Sequence, residues 1–412
     1  MKNKFKRFLK VLGPGLITGS ADDDPSGIAT YSLAGAQFGY GLLWTALITF
    51  PLMVAVQETC ARIGVITKKG LAEVIKENYP KPLLLVSCSL LLVANIFNIG
   101  ADISGMAAAI RLLFPINEFF ASLGITAIMV IIIIKLPYRQ IKAVFKWLCL
   151  ALFAYILTFF LVNHDFQEII LRTFVPNFSS FLDSKYLLLL VAVFGTTISP
   201  YLFFWQASEE AEEEKLHPKG PIVKELSDEK TDTILGMGFS NIVTYFIIAT
   251  TAATLFSAGL TNINTAADAA QALRPLAGDF AFLLFAVGII GTGMLAIPIL
   301  AGSAAYALAE VFGFPEGLNK SFHRAKAFYL IIILATLIGF LLNLIGLSPI
   351  KYLFYSAVLN GLIAPILIAV ILLIGNNKKI MGENTNGWVV NLLSVITLII
   401  MSLAGTSIFL LN

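Results

Sequence analysis

Long apolar stretches alternate with short polar ones along the whole chain, and eleven of the apolar stretches are long enough to cross a bilayer as helices. The pattern predicts an all-α polytopic membrane protein with eleven transmembrane helices joined by short loops. The approximate bounds of the predicted segments are 11–38, 40–63, 82–113, 117–136, 145–163, 186–207, 233–257, 279–311, 326–346, 350–374 and 387–411. The longest predicted loops are 164–185, 208–232 and 258–278.

The composition supports a membrane protein and excludes several other classes. Of 412 residues, 58% are hydrophobic and only 13% are charged, a balance that soluble domains do not show. Three scattered cysteines without a CxxC pair indicate neither a disulfide framework nor a zinc site. The sequence contains no P-loop, dinucleotide fingerprint or catalytic triad. We therefore expect no enzymatic activity, no cofactor, and no nucleotide or nucleic-acid partner; the expected surroundings are a lipid bilayer.

The distribution of basic residues predicts the orientation. With the N-terminus inside, 23 of the 28 Lys and Arg residues fall in inner segments. The other five, on the outer side, are Arg111, Arg172, Lys185, Arg274 and Lys351. Because cytoplasmic loops carry an excess of Lys and Arg, we expect the N-terminus in the cytoplasm and the C-terminus outside the cytoplasm.

The first apolar segment is interrupted at Ser20–Ile28, which reads SADDDPSGI. Pro25 has no N–H to donate and disfavours helical backbone at Asp24. Gly27 weakens the helix further. We expect the backbone to unwind here for a few residues.

The break brings three carboxylates, those of Asp22, Asp23 and Asp24, into a membrane segment. Acids and unwound backbone are tolerated at membrane depth only around a protein-lined or watered cavity. Carboxylates, freed carbonyls and the Ser26 hydroxyl are hard oxygen ligands, so the break predicts a cation site. The alternative is a kinked helix end whose acids lie in solvent.

The sixth segment carries a second break, where Gly195, Thr196 and Thr197 are followed by Ser199 and Pro200. Taken alone, it is also consistent with an ordinary kink in a membrane helix. Two interrupted segments that lie five segments apart point to an inverted-repeat transporter. We expect a single transporter domain, 1–412, with a first repeat over 1–163, a second over 186–374, and an additional helix 11 over 387–411.

Three motifs resemble the Nramp family of divalent-metal transporters. They are Gly13–Leu16 (GPGL), the Asp24–Pro25 pair, and the long run Gly35–Trp44 (GAQFGYGLLW). The resemblance implies a LeuT-type 5+5 inverted repeat with unwound helices 1 and 6. It also implies a metal site between these helices and inward transport of Mn²⁺ and Fe²⁺, usually together with protons.

The resemblance implies a ligand set that departs from the family pattern. The family's Asp-Pro-Gly-Asn reads Asp24-Pro25-Ser26-Gly27, so the ligand Asp is kept and the ligand Asn is replaced by Gly27. The family's Ala-x-x-Met-Pro-His falls on Thr196, Ser199, Pro200 and Tyr201, so a serine hydroxyl replaces the thioether. The implied metal-site residues are Asp24, Gly27, Thr196 and Ser199.

The positions that the family links to proton movement also depart from the family pattern. A second family His falls on Gln206, and the family's Asp-x-x-Glu keeps Asp102 but has Gly105 in place of Glu. This pattern is similar to that of the divergent Nramp-related magnesium transporters. The residues expected to surround the metal site or line the ion path are Asp22, Asp23, Ser26, Asn98, Asp102, Tyr201, Gln206 and Glu210.

Two of these expectations have plain alternatives. Asn95, Asn98 and Asp102 share one face of the third segment, which indicates either a watered ion or proton path or a polar contact between helices. Glu210 shares a face with Gln206 at the acidic end of the sixth segment. It could draw a released cation inward; the residues after it are as readily explained as a solvated helix end.

Physical chemistry points to a hard cation independently of the family. An all-oxygen site does not reward soft metals as a thioether does, and Mg²⁺ is usually held by one or two carboxylates with several waters retained. We therefore expect secondary-active or facilitated uptake of Mg²⁺, with Mn²⁺ tolerated and no obligatory proton coupling. The alternatives are a proton-coupled Mn²⁺/Fe²⁺ transporter and, more distantly, a sodium-coupled amino-acid transporter.

Overall fold

The computed structural model describes residues 14–136, 140, 149–216 and 222–410, and within these ranges the chain is helical with no β-strand. The helices are α1 Pro14–Asp22, α2 Pro25–Phe38, α3 Leu43–Thr67, α4 Leu71–Asn78, α5 Lys81–Leu113, α6 Glu118–Lys135, α7 Phe153–Leu161, α8 Phe166–Phe174, α9 Ser184–Thr197, α10 Pro200–Leu216, α11 Ile222–Thr251, α12 Ala266–Ala270, α13 Arg274–Ala277, α14 Ala281–Phe312, α15 Lys326–Leu342, α16 Pro349–Gly375, α17 Lys378–Met381 and α18 Trp388–Leu410. The prediction of an all-α protein is confirmed.

Both predicted breaks are present. The first lies between α1 and α2, where Asp24 is extended, with φ −67° and ψ 172°, and Pro25 opens the new helix. Pro is favoured at this position because the first N–H of a helix needs no intrahelical partner. The second lies between Thr197, where α9 ends, and Pro200, where α10 begins.

The outer helices carry a surface that fits lipid. Large apolar side chains such as Phe120, Phe160 and Leu403 are each about two-thirds exposed, as expected for a protein surrounded by hydrocarbon rather than water. Nine stretches of the described chain are long and apolar enough to cross a membrane. One of them, Pro25–Thr67, joins parts of the first two predicted segments, and the fifth is described only over the shorter Leu150–Leu161. The count of eleven therefore stays a prediction, as do the repeat boundaries.

The two breaks lie in the interior because their half-helices are packed on all sides. α1 packs on α11, α10 packs on α3 and α14, and α2 contacts both α5 and α9. Small residues permit this closeness. A Cβ atom built on Gly19 would lie 2.1 Å from the carbonyl oxygen of Gly236, and one on Gly195 would lie 2.3 Å from the amide nitrogen of Gly361.

The predicted loops contain more helix than the hydrophobic pattern indicates. Within the predicted loop 208–232, α10 continues to Leu216 and α11 starts at Ile222. The predicted loop 164–185 holds α8, and 258–278 holds α12 and α13. Treating these stretches as loops was wrong, because hydropathy reports the apolar thickness of a helix and not its polar extension beyond the membrane.

Candidate metal centre

The Asp24 carboxylate is the most extensively hydrogen-bonded side chain of the first break. It is 1% exposed and accepts three hydrogen bonds. The Ser26 hydroxyl donates at 2.6 Å and the Gly27 amide at 2.7 Å to Oδ1, while the Asn98 side chain donates at 2.9 Å to Oδ2. The cap to Gly27 follows from the local sequence, because an aspartate before a helix-opening proline is well placed to bind a free first-turn amide. The carboxylate is thus held in one orientation between α2 and α5.

The second break faces the first through Thr196. Its hydroxyl oxygen lies 3.4 Å from that of Ser26. A Cβ atom on Gly27 would come within 3.2 Å of the Thr196 hydroxyl, so a side chain at Gly27 would take up space beside this oxygen. The structure therefore brings four of the sequence-predicted residues together: Asp24, Ser26, Gly27 and Thr196.

Ser199 lies in the second break, between α9 and α10, and is bound to the end of α9. Its hydroxyl donates to the carbonyl oxygen of Thr196 at 2.7 Å and to that of Gly195 at 3.1 Å. These carbonyls belong to the last turn of a helix, where intrahelical donors run out. Ser199 is 2% exposed, and it adds an oxygen to the second break without a direct hydrogen bond to Asp24 in the described contacts.

Three other predicted residues follow α10 away from the break. The Tyr201 hydroxyl donates to the carbonyl oxygen of Ala21 at 2.8 Å. The Gln206 side chain accepts a hydrogen bond from Thr18 on α1 and donates to Glu210 at 3.0 Å. All are buried. α1 and α10 are therefore joined by polar contacts over most of the length of α1.

Asp22 and Asp23 do not join Asp24 in one carboxylate cage. Both instead accept hydrogen bonds from the Ser240 hydroxyl on α11, at 2.8 and 3.2 Å. Within the described ranges no three His, Cys, Asp or Glu side chains come together in a way that could hold a metal. The centre around Asp24 is accordingly one carboxylate with hydroxyl, amide and carbonyl oxygens.

The polar face of α5 points into the protein, as the sequence predicts. Asn98 reaches Asp24, and the Asn95 side chain donates to the carbonyl oxygen of Leu300 on α14 at 3.0 Å. Asp102 is fully buried and interacts with the backbone amide of Ser26 at the first break. The face thus combines a contact between helices at Asn95 with a buried carboxylate beside the first break at Asp102.

Two groups of polar residues escaped the sequence analysis. Ser240 is one of many hydroxyl residues in its segment, and no pattern distinguishes it. Glu310 near the end of α14 accepts hydrogen bonds from the Ser208 hydroxyl at 2.9 Å and from the Glu73 amide at 3.0 Å. It joins α14 to α10 and α4. An acid at the end of an apolar segment was the available signal for Glu310.

These features define a class. Two discontinuous helices meet in the interior of a membrane-embedded bundle, and their unwound ends present buried oxygen ligands. This is the architecture of a secondary transporter with broken helices.

Comparison with known proteins supports this class of transporter and identifies the family within it. The Nramp family profile, described as natural resistance-associated macrophage protein-like, matches residues 15–411. The chain is 26% identical over 409 residues to the divalent metal cation transporter MntH of Deinococcus radiodurans, covering 93% of this chain and 87% of that protein. It is 27% identical over 391 residues to MntH of Aeromonas hydrophila, with coverage of 93% and 90%. The chain belongs to the Nramp family, whose members are membrane transporters and not enzymes.

Solved structures show the same fold. The manganese transporter of Eremococcus coleocola, in complex with an aromatic bis-isothiourea compound, superposes with a TM-score of 0.82 at 18% identity, covering 97% of this chain and 86% of that one. MhsT in complex with L-phenylalanine superposes with a TM-score of 0.61 at 14% identity, covering 96% and 98%. The predicted LeuT-type fold is confirmed.

Proposed function

We propose that this protein carries hard divalent cations across the membrane into the cytoplasm, with Mg²⁺ as the preferred substrate and Mn²⁺ tolerated. The observation that carries the proposal is the environment of Asp24. A single buried carboxylate stands at the junction of the two breaks, and the polar atoms that surround it are oxygen and amide nitrogen. A divalent cation is the ligand that such a carboxylate and its neighbouring oxygens favour.

The preference for Mg²⁺ rests on the kinds of atoms at the two breaks. Ser199 occupies the position where the family has a thioether, so this position offers oxygen and not sulfur to a metal. Gly27 occupies the position of the family's asparagine, so the amide ligand of the family is replaced by a residue without a side chain. Mg²⁺ gives up its waters reluctantly, and a site with one carboxylate suits an ion that keeps part of its hydration shell.

The second candidate is proton-coupled transport of Mn²⁺ or Fe²⁺. The curated relatives are named divalent metal cation transporters, and the solved relative is named a manganese transporter. Asp102 is a fully buried carboxylate beside the first break, which is the kind of group that could carry a proton. We favour uncoupled transport, because Gly105 and Gln206, at positions where the family has a glutamate and a histidine, cannot titrate.

Amino-acid transport is disfavoured despite the shared fold with MhsT, which was solved with L-phenylalanine. A substrate carboxylate bound at the first break would meet the carboxylates of Asp22, Asp23 and Asp24. Like charges brought together in a buried site repel strongly.

A competition series in proteoliposomes tests the proposal. Uptake of Mg²⁺ by the purified protein is measured at a clamped inward-negative potential, in the presence of Mn²⁺, Ca²⁺, Cd²⁺ or Zn²⁺. We expect Mg²⁺ uptake that Mn²⁺ competes with and Cd²⁺ affects little. Uptake of Cd²⁺ and Mn²⁺ without uptake of Mg²⁺ would overturn the Mg²⁺ preference and agree with the ion selectivity of the second candidate.

A further inference from the structure

Asp22 and Asp23 both contact the side chain of Ser240, which lies on the opposite side of the first break from Asn98. The Ser240 hydroxyl is shared between Asp22 Oδ2, at 2.8 Å, and Asp23 Oδ1, at 3.2 Å. Both carboxylates are fully buried. One hydroxyl has one proton, so Ser240 cannot fully satisfy both acids at once.

Each carboxylate also keeps an oxygen without a partner. Asp22 Oδ1 and Asp23 Oδ2 are buried and make no hydrogen bond to the described chain. Two unpaired carboxylate oxygens of this kind are costly to bury unless a cation or a proton neutralises them.

The surroundings of the two acids add little that could neutralise them. Thr244 lies one turn beyond Ser240 on the same face of α11 and is fully buried, but its hydroxyl interacts with that of Tyr31. The Tyr31 hydroxyl also lies 3.0 Å from that of Thr197. Among the described contacts, Ser240 is therefore the one hydrogen-bond donor to the two carboxylates.

We propose that Asp22, Asp23 and Ser240 form a second cation site, separate from the centre at Asp24, that takes a hard divalent cation. Two carboxylates balance the charge of a divalent ion, and the Ser240 hydroxyl adds a hard oxygen ligand without a soft atom. The second site faces α11, whereas the centre at Asp24 faces α5. The inference deepens the proposed function and rests on it.

The test counts bound ions, with Mn²⁺ as a paramagnetic probe of the purified full-length protein in nanodiscs. Titration followed by the electron paramagnetic resonance signal of free Mn²⁺ gives the number bound per chain. We expect the wild type to bind twice as many ions as either the Asp22→Asn/Asp23→Asn variant or Asp24→Asn. Equal numbers for the wild type and the Asp22→Asn/Asp23→Asn variant would overturn the second site.

Ser240→Ala tests the same site with less risk of a folding defect, because it keeps both carboxylates. We expect it to weaken one of two binding steps by about tenfold, since it removes a hydrogen bond to a charged group. Thr397→Ala is the matched control, because this buried hydroxyl bonds within α18, away from both breaks. Unchanged binding in Ser240→Ala would overturn the second site. A wild type that binds one ion, lost only in Asp24→Asn, would also overturn it while leaving the proposed function intact.

Discussion

The Tyr201 hydroxyl, at the start of α10, donates a hydrogen bond across 2.8 Å to the carbonyl oxygen of Ala21, near the end of α1. The backbone carbonyl of Tyr201 is itself held by the Ser303 hydroxyl of α14 at 2.9 Å. A carbonyl near a helix C-terminus has no intrahelical donor, and Tyr201 provides one from the other broken helix. The two breaks are thereby joined to each other and to α14.

Replacing this tyrosine tests whether the junction matters for transport. Tyr201→Phe leaves the Ala21 carbonyl buried without its donor, so we expect a loss of about 1–3 kcal/mol in stability and a several-fold slower Mg²⁺ uptake. Thermal unfolding in detergent and uptake into proteoliposomes measure the two effects. Tyr329→Phe is the control, since it removes a hydroxyl bonded to the Lys320 carbonyl at 2.7 Å away from the breaks. Equal slowing in both variants would contradict the role of the junction.

Asp24→Asn is expected to reduce uptake to background while the protein still folds. The amide keeps the size of the side chain but loses the negative charge that a divalent ion needs. Asp183→Asn is the matched control: Asp183 caps α9 through the Lys185 amide at 2.8 Å, but it is exposed. Uptake by Asp24→Asn near the wild-type rate would exclude Asp24 as a ligand and move the ion to Asp22 and Asp23.

The breaks were predictable from sequence, whereas the partners of their side chains were not. Pro25 and Pro200 each remove a backbone donor, and this local effect is visible in the residues themselves. The division of the three aspartates depends on α11, which returns to the first break more than two hundred residues later. Nothing in the DDD run shows that Asp22 and Asp23 turn to Ser240 while Asp24 turns to Asn98. Such contacts are decided by tertiary packing.

Ser199→Met is expected to shift selectivity towards soft ions. A thioether adds a soft donor at the second break and removes the hydroxyl that now bonds to Thr196. We expect Cd²⁺ and Mn²⁺ to gain on Mg²⁺ in a competition assay, by about tenfold or more. Ser199→Ala separates the two causes, since it removes the oxygen without adding sulfur and should slow uptake without changing the ion ranking. An unchanged ranking in Ser199→Met would place Ser199 away from the ion.

The stability of the loop before α15 should depend on pH through Glu316. Burial, together with the negative charge of Glu310, raises the pKa of Glu316 from 4.5 to about 8. Between these values the folded protein binds more protons than the unfolded chain, so stability should fall as pH rises from about 5 to 8. Glu316→Gln cannot ionise, and its melting temperature should fall less over this range. An equal fall in melting temperature with pH in the wild type and in Glu316→Gln would contradict the raised pKa of Glu316.

Transport is expected to proceed without obligatory proton movement. Coupling requires a group that changes protonation during the cycle, and among the proton-linked positions of the family this chain retains only the carboxylate of Asp102. The membrane potential suffices as a driving force, because each charge gains ~2.3 kcal/mol per 100 mV, or ~4.6 kcal/mol for a divalent ion. That corresponds to more than about a thousandfold accumulation.

An internal pH dye in proteoliposomes at a clamped potential measures the coupling. We expect Mg²⁺ uptake without acidification, and Asp102→Asn should retain uptake because no proton has to pass through it. Asn98→Asp is an informative companion, since it places a second carboxylate against Asp24 Oδ2 and creates a new site for a proton. A proton influx in the wild type that tracks Mg²⁺ and disappears in Asp102→Asn would refute the uncoupled mechanism. It would make the buried carboxylate of Asp102 the proton site of a coupled transporter.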